Sequence, residues 1–149
     1  MTGFNHGLTG AVIAVTSKNP ALALPLAFIS HFLADTIPHY GFSQKDVLGK
    51  KFNLYLQFDF VFSLLLMVLL AMMFPDRLFL IWACMILAAI PDIIWFFYRG
   101  SVKQWPKGLD RFTAWHFNLN SESHVTNIYY DIGWFVAMMA ILIFLSIRL

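Results

Sequence analysis

The amino-acid sequence predicts an all-α membrane protein, a polytopic helical bundle of about five helices made of three full spans and an N-terminal helical hairpin. Of its 149 residues, 60% are hydrophobic and 12% are charged, whereas a soluble domain carries about 25% charged residues. Three apolar runs are long enough to cross a hydrocarbon core of about 30 Å, which takes roughly 20 helical residues. Because a chain of this length rarely forms two domains, residues 1–149 are expected to form a single integral membrane domain.

The expected helices follow one another with short connections. The first two, at residues 8–15 and 21–37, are short and apolar, and a polar turn with Pro20 at the start of the second helix joins them into a hairpin. The first is too short to span comfortably, so we expect it to be tilted, shallow or packed against the others. The full spans are residues 52–74, 78–98 and 125–147. A tight polar turn at residues 75–77 makes the first two spans an antiparallel hairpin.

The basic residues predict the orientation in the membrane. Helices of alternating direction place residues 38–51 and 99–124 on the side that holds the N-terminus, called here the N-terminal side. The basic residues of these two segments are Lys45, Lys50, Lys51, Arg99, Lys103, Lys107 and Arg111. The opposite side has only Lys18, Arg77 and Arg148. Because Lys and Arg concentrate in cytoplasmic loops, we expect an inner or plasma membrane protein with a cytoplasmic N-terminus and an external C-terminus.

Membrane lipid is the expected partner of the chain. A formal net charge of +2 is too small to indicate nucleic acid. Residues 101–120 mix Lys and Arg with Trp and Phe, a composition typical of a segment that lies on the membrane surface. His116 belongs to this segment and is interpreted as an interfacial residue. The sequence does not predict an oligomeric state.

Imidazoles and carboxylates from all the expected helices gather in one half of the membrane, on the N-terminal side. They are His6, His31, Asp35, His39, Asp59, Asp92, His124 and Asp131. A charged side chain at bilayer depth costs at least about 2.5–3.5 kcal/mol, so these carboxylates need partners. Lys and Arg are absent from these spans, which leaves the histidines, a bound cation, protonation or a water-filled cavity as compensation. A divalent cation would neutralise two carboxylates at once. The pattern therefore predicts a metal site.

The second helix carries the sharpest local signal. His31, Asp35 and His39 stand at i, i+4 and i+8, so they share one helix face, although Pro38 is expected to end or kink the helix. Imidazole and carboxylate ligands suit one or more ions of zinc, with manganese and iron as alternatives, and no cysteine pattern indicates a closed structural zinc site. The predicted metal ligands are His6, His31, Asp35, His39, Asp59, Asp92 and His124. Asp131, or a member of that set that binds no ion, is the predicted general base.

Short motifs add a family resemblance. The stretch SHFLADTIPHYG at residues 30–41 resembles the His-x-x-x-Asp…Pro…His core of the zinc-dependent phospholipase C and single-strand nuclease superfamily, and of small membrane-bound metal-dependent hydrolases similar to it. The motif NHGLTG at residues 5–10, Pro91-Asp92 and Ser123-His124 match further parts of that pattern. The resemblance implies phosphoester hydrolysis. The metal ligands that it implies are His6, His31, Asp35, His39, Asp92 and His124.

Three functions from different classes follow from these observations. The leading hypothesis is a membrane-embedded metal-dependent hydrolase that acts at the cytoplasmic side on a phosphoester, such as a phospholipid headgroup or another phosphodiester. The first alternative is a cation or proton transporter or channel that uses the same polar cluster, although the polar groups stop halfway across the membrane. The second alternative is a structural or partner-binding membrane protein whose polar cluster only fixes helix packing.

Overall fold

The computed structural model describes residues 1–17, 19–41, 49–101, 107–122, 124–125 and 128–148. These parts of the chain are mostly helical, which confirms the all-α prediction. The helices are α1 (Gly3–Ser17), α2 (Pro20–Asp35), α3 (Lys50–Met73), α4 (Leu78–Ser101), α5 (Lys107–Glu122) and α6 (Tyr129–Arg148). Two short strands, β1 (His39–Tyr40) and β2 (His124–Val125), pair in parallel with His39 opposite His124.

Three segments are long and apolar enough to cross a membrane by length and composition. They are Lys50–Met73, Pro75–Ile94 and Tyr129–Arg148. Helices α3 and α4, which belong to the first two segments, are joined by a single 3₁₀ turn at Pro75–Arg77. The predicted antiparallel hairpin is therefore present. The third span begins at Tyr129 rather than at the predicted residue 125, because residues 124–125 pair with β1 and leave the helical path.

Helix α1 forms the centre of the bundle. It packs against α2, α3, α4 and α6, and Leu8, Ala11 and Ala14 on it are fully buried. At Gly10 the backbone of α4 approaches so closely that a Cβ atom would collide with the carbonyl of Cys84. This helix was expected to be tilted, shallow or packed against the others, and it is packed against four other helices.

Helix α2 begins and ends where its sequence requires. The Asn19 side chain accepts a hydrogen bond from the Ala21 amide, and Pro20 occupies the first turn, where its missing N–H costs nothing. The helix ends at Asp35, two residues before the expected end, since Pro38 disfavours helical geometry in the residue before it. His39 therefore leaves the helix and lies in β1.

Helix α5 is an additional helix in the segment expected to lie on the membrane surface. It packs against α2 and α4. Phe112 and Trp115 contact Phe32 of α2, with ring centroids 6.0 and 5.2 Å from it. Thr113 and His116 on the inner face of α5 are each 2% exposed, while Trp115 remains half exposed. Helix α5 thus brings its histidine into the bundle.

Candidate metal centre

Four side chains from three helices converge in the bundle interior. His31 and Asp35 lie on α2, Asp92 on α4 and His116 on α5, and each offers one ligand atom within 4.8 Å of all the others. Asp35 Oδ2 lies 3.1 Å from Nε2 of both His31 and His116. Asp92 Oδ1 lies 3.8 and 3.7 Å from the same two nitrogens, which are themselves 2.8 Å apart. Two ligands bound tetrahedrally to one zinc ion at about 2.0–2.1 Å lie roughly 3.3 Å apart, so the group can hold a metal ion.

The hydrogen bonds of His31 orient it as a metal ligand. Its Nδ1 lies 2.6 Å from the Ala88 carbonyl oxygen. A carbonyl only accepts, so Nδ1 carries the proton and donates, and the lone pair of the neutral ring is left on Nε2, which faces the carboxylates. Metal-binding histidines almost always use their second nitrogen in this way. Ala88 lies one turn before Asp92 on α4, so the same helix supplies both a candidate ligand and the carbonyl that orients His31.

His6 on α1 faces the other oxygens of the two carboxylates. Its Nε2 lies 3.1 Å from Asp35 Oδ1 and 3.7 Å from Asp92 Oδ2, and its ring stacks on His31 at 4.0 Å between centroids. The Met1 amino nitrogen also lies 2.9 Å from Asp35 Oδ1. Each carboxylate therefore turns one oxygen to the pair His31 and His116 and the other oxygen to His6.

The His6 ring is buried and its nitrogens lack hydrogen-bond partners among the described residues. Although Asp35 is close, the geometry is unfavourable for a hydrogen bond. Buried polar atoms are nearly always hydrogen-bonded, so an unpaired buried ring needs an explanation. Burial, followed by the nearby His31, lowers the pKa of His6 to about 4. The ring is therefore neutral at physiological pH, the form in which histidine binds metals.

The group is open to the outside mainly at Asp92. His6, His31 and Asp35 are fully buried and His116 is 2% exposed, whereas the Asp92 side chain is 30% exposed. An ion, a water molecule or a substrate group would therefore reach the site past Asp92.

His39 and His124 lie opposite one another in the paired strands β1 and β2. Neither belongs to the group of four described residues. His39 is buried, and its Nδ1 lies 2.7 Å from the Ile37 carbonyl oxygen. Its strand pairs with β2, which carries His124. The side chain of His124 is outside the described residues. Metal ligation by these two histidines stays a prediction.

Asp59 and Asp131 contact the start of α1 rather than the group of four. Asp59 accepts hydrogen bonds from the amides of Gly3 and Phe4, both at 2.9 Å. Asp131, 2% exposed, accepts from the Thr2 amide at 3.1 Å and from the Tyr40 amide at 2.7 Å. The roles predicted for them, ligand and general base, remain predictions, but each carboxylate already has amide partners.

Sequence reasoning missed His116. It placed this residue at the membrane surface, yet His116 Nε2 lies at the centre of the group, 3.1 Å from Asp35 Oδ2. The signal was the spacing on α5: Leu109, Phe112, Thr113 and His116 stand at i, i+3, i+4 and i+7 and form one inward face. A helix with such a face packs it against the protein, and His116 is its polar member.

Comparisons with family models, with curated proteins and with solved structures find no match to this chain. The function proposed below therefore depends on the site itself.

Replacing His116 by alanine is expected to weaken zinc binding by about a hundredfold, because it removes a buried ligand atom that faces both His31 and Asp35. The exposed Asn118 on the same helix supplies the control variant, Asn118→Ala, which should bind zinc as the wild type does. Zinc affinity is measured by competition with a chromophoric chelator in detergent. Equal affinities for His116→Ala and the wild type would exclude His116 as a ligand.

Proposed function

We propose that this chain is a membrane-embedded metal-dependent hydrolase that acts on a phosphoester, such as a lipid headgroup, at the cytoplasmic side of the membrane. The observation that carries the proposal is the convergence of two imidazoles and two carboxylates, from α2, α4 and α5, on one buried point. A metal ion would account for two imidazoles and two carboxylates whose ligand atoms face one another.

The residues fit a divalent ion by their chemistry. His31, Asp35, Asp92 and His116 would hold it, and His6 faces the opposite oxygens of the same two carboxylates. Mixed nitrogen and oxygen ligands suit zinc first, with manganese or iron as alternatives. When bound, such an ion would supply Lewis acidity toward a phosphoryl oxygen and lower the pKa of a coordinated water.

The chain's own groups define the rest of the site. Asp35 and Asp92 bring two carboxylates to the site, and the Met1 ammonium group pairs with one of them, Asp35. The Ala88 carbonyl holds His31 in the tautomer that would bind a cation. Asp92, at the open edge, is the ligand that a substrate meets first. The apolar walls of α1 and α4 exclude bulk water from the inner side, which strengthens every electrostatic interaction at the site.

The apolar exterior supports lipid as the partner. On α2 the exposed large side chains follow one helical stripe, and the helix ends at Asp35 in the metal group. The members of this stripe are Leu22, Leu26, Ile29 and Leu33. The exposed faces of α3 and α6 are equally rich in large apolar residues. A headgroup at the level of the α2 C-terminus would lie beside the site while its acyl chains contact these faces. The basic loops of the sequence favour the cytoplasmic side for this end.

The packing does not favour the transport alternative. In the part of the chain that the structure describes, the end of the bundle opposite the site is filled by an apolar cluster. This cluster includes Val15, Leu70, Phe74, Ile81 and Leu142. An ion that crosses the membrane needs polar groups along its path. A purely structural role is tested by metal content, because a packing network needs no ion.

The proposal is tested by hydrolysis assays on purified protein loaded with zinc or manganese. The substrates are bis(p-nitrophenyl) phosphate and phospholipid in mixed micelles, and the variants are Asp92→Asn and, as the matched control, Asp76→Asn in the exposed turn between α3 and α4. We expect kcat/KM to fall by more than about a hundredfold in Asp92→Asn and to stay unchanged in Asp76→Asn. Metal-loaded wild type without activity on either substrate, or equal activity in Asp92→Asn, contradicts the proposal.

A further inference from the structure

Two carboxylates outside the metal group, the partly buried Asp59 and the buried Asp131, share one contact region at the start of α1. Asp59 comes from α3 and Asp131 from α6. Between them they accept hydrogen bonds from the amides of Thr2, Gly3 and Phe4. The first amides of a helix have no partner within the helix, and they carry its positive dipole end. The two carboxylates are therefore partly compensated by the amides at the start of α1.

The contacts of Asp131 extend beyond α1. The Asn5 side chain donates to the Asp131 carbonyl oxygen at 2.9 Å and to its Oδ1 at 3.3 Å. Oδ2 of the same carboxylate accepts from the Tyr40 amide at 2.7 Å. Tyr40 follows His39 in β1, so Asp131 connects α6 both to the helix that carries His6 and to the strand that carries His39.

These contacts fix the position of His6. Hydrogen bonds between successive turns make a helix stiff over this distance, so a rotation or shift of its first turn moves the next residues with it. His6 lies two residues after Phe4. Its ring stacks on His31, but among the described residues its nitrogens have no hydrogen-bond partner, so the position of the ring depends strongly on the position of α1. The anchors that set its distance from Asp35 and Asp92 are thus the carboxylates at the helix start, together with the packing of α1.

We propose that Asp59 and Asp131 are positioning residues that anchor the first turn of α1 and thereby hold His6 against the metal centre. This inference rests on the proposed function, since it assigns the two carboxylates a role in metal binding at that site. The roles of ligand and general base expected from the sequence for these two residues stay predictions beside it.

Asparagine is the informative substitution at both positions. At Asp59 the two oxygens each accept from one amide, so the side-chain amide introduced by Asp59→Asn would turn its N–H₂ group toward the backbone N–H of Gly3 or Phe4. At Asp131 the oxygens face Thr2 and Tyr40 separately, and an amide can satisfy only one of these donors. Groups that orient metal ligands typically change affinity by about 10- to 100-fold when they are lost.

The experiment is a double-mutant cycle on zinc affinity, measured with full-length protein in detergent by chelator competition. The variants are Asp59→Asn, His6→Ala and the two combined, with Asp76→Asn as the control for the same chemical change far from the site. If Asp59 acts through His6, Asp59→Asn weakens zinc binding about 10- to 100-fold in the wild-type background and has no further effect in the His6→Ala background. A role in folding alone would instead lower the melting temperature in both backgrounds and leave the zinc affinity unchanged.

A second variant covers the case in which Asp59→Asn does not fold. Asn5→Ala removes one donor to Asp131 and leaves both carboxylates in place, and it should weaken zinc binding in the same direction by a smaller factor that also disappears with His6→Ala. Effects that multiply in the double variants, or single variants that bind zinc as the wild type does, overturn the positioning role while the proposed function stands. A wild type that binds no zinc overturns both.

Discussion

Replacing Asp35 by asparagine is expected to remove the metal from the purified protein. Asp35 is fully buried, and its two oxygens face His6 on one side and the pair His31 and His116 on the other. An amide loses the negative charge and offers one oxygen instead of two, so metal affinity should fall by more than about a hundredfold. Elemental analysis in chelator-free detergent should find stoichiometric zinc, manganese or iron in the wild type and none in Asp35→Asn.

The same variant also tests how much a bound metal contributes to the stability of the folded protein. An ion that binds only the folded protein stabilises it, by about 4 kcal/mol at a free concentration of 1,000 times Kd. A chelator should therefore lower the melting temperature of the wild type and leave that of Asp35→Asn unchanged. The matched control is Asp76→Asn, which should keep both the metal and the response to the chelator. Full metal occupancy in Asp35→Asn would exclude Asp35 as a metal ligand.

The membrane spans could be predicted from sequence because length and apolar composition decide them. The predicted spans at residues 52–74 and 78–98 agree with α3 and α4 to within three residues at each end. Local chemistry also predicted the hairpin turn and the proline at the start of α2. The central position of α1 could not be predicted, because a short apolar run looks the same whether it touches lipid or other helices.

The end of the bundle in which the carboxylates lie was predictable from the sequence. The neighbouring groups that each carboxylate faces were not. Alternating helices place Asp35, Asp59, Asp92 and Asp131 in one half of the bundle, and the structure places them there. Which neighbour each carboxylate meets depends on how the helices are rotated and packed. Asp35 and Asp92 face imidazoles, whereas Asp59 and Asp131 face the amides of α1. The partners expected from the sequence were the histidines, a bound cation, protonation or a water-filled cavity, and a helix start was not among them.

His116 was missed for a related reason. Its segment has a polar composition, and composition alone suggested the membrane surface. The inward face of α5 is narrow, with Thr113 and His116 as its most buried members, and its exposed side carries Trp115 and Arg111. A helix of this kind has one side in the protein and one side outside it. Helical spacing, rather than composition, was the property that located the ligand.

Replacing Gly10 by alanine is expected to destabilise the protein, although alanine normally favours a helix by about 1 kcal/mol over glycine. A Cβ at Gly10 would lie 2.7 Å from the Cys84 carbonyl carbon and 3.1 Å from the Ala88 Cβ. The first of these atoms belongs to the backbone of α4, which cannot rotate away, so α1 and α4 must separate. Overpacking of this kind costs about 1–3 kcal/mol, which exceeds the gain in helix propensity.

Separation of α1 from α4 would also disturb the metal centre, because α1 carries His6 while α4 carries Asp92 and the Ala88 carbonyl that orients His31. Gly10→Ala should therefore lower both the unfolding free energy, measured by denaturation with sodium dodecyl sulfate, and the zinc affinity. Gly133 in α6 supplies the control, since a Cβ there meets no atom within 4 Å. Gly133→Ala should keep zinc affinity and leave stability unchanged or raised by up to about 1 kcal/mol. Close packing of α1 on α4 requires that Gly10→Ala lower the unfolding free energy while Gly133→Ala does not. Equal changes in the two variants would mean that the two helices do not pack this closely.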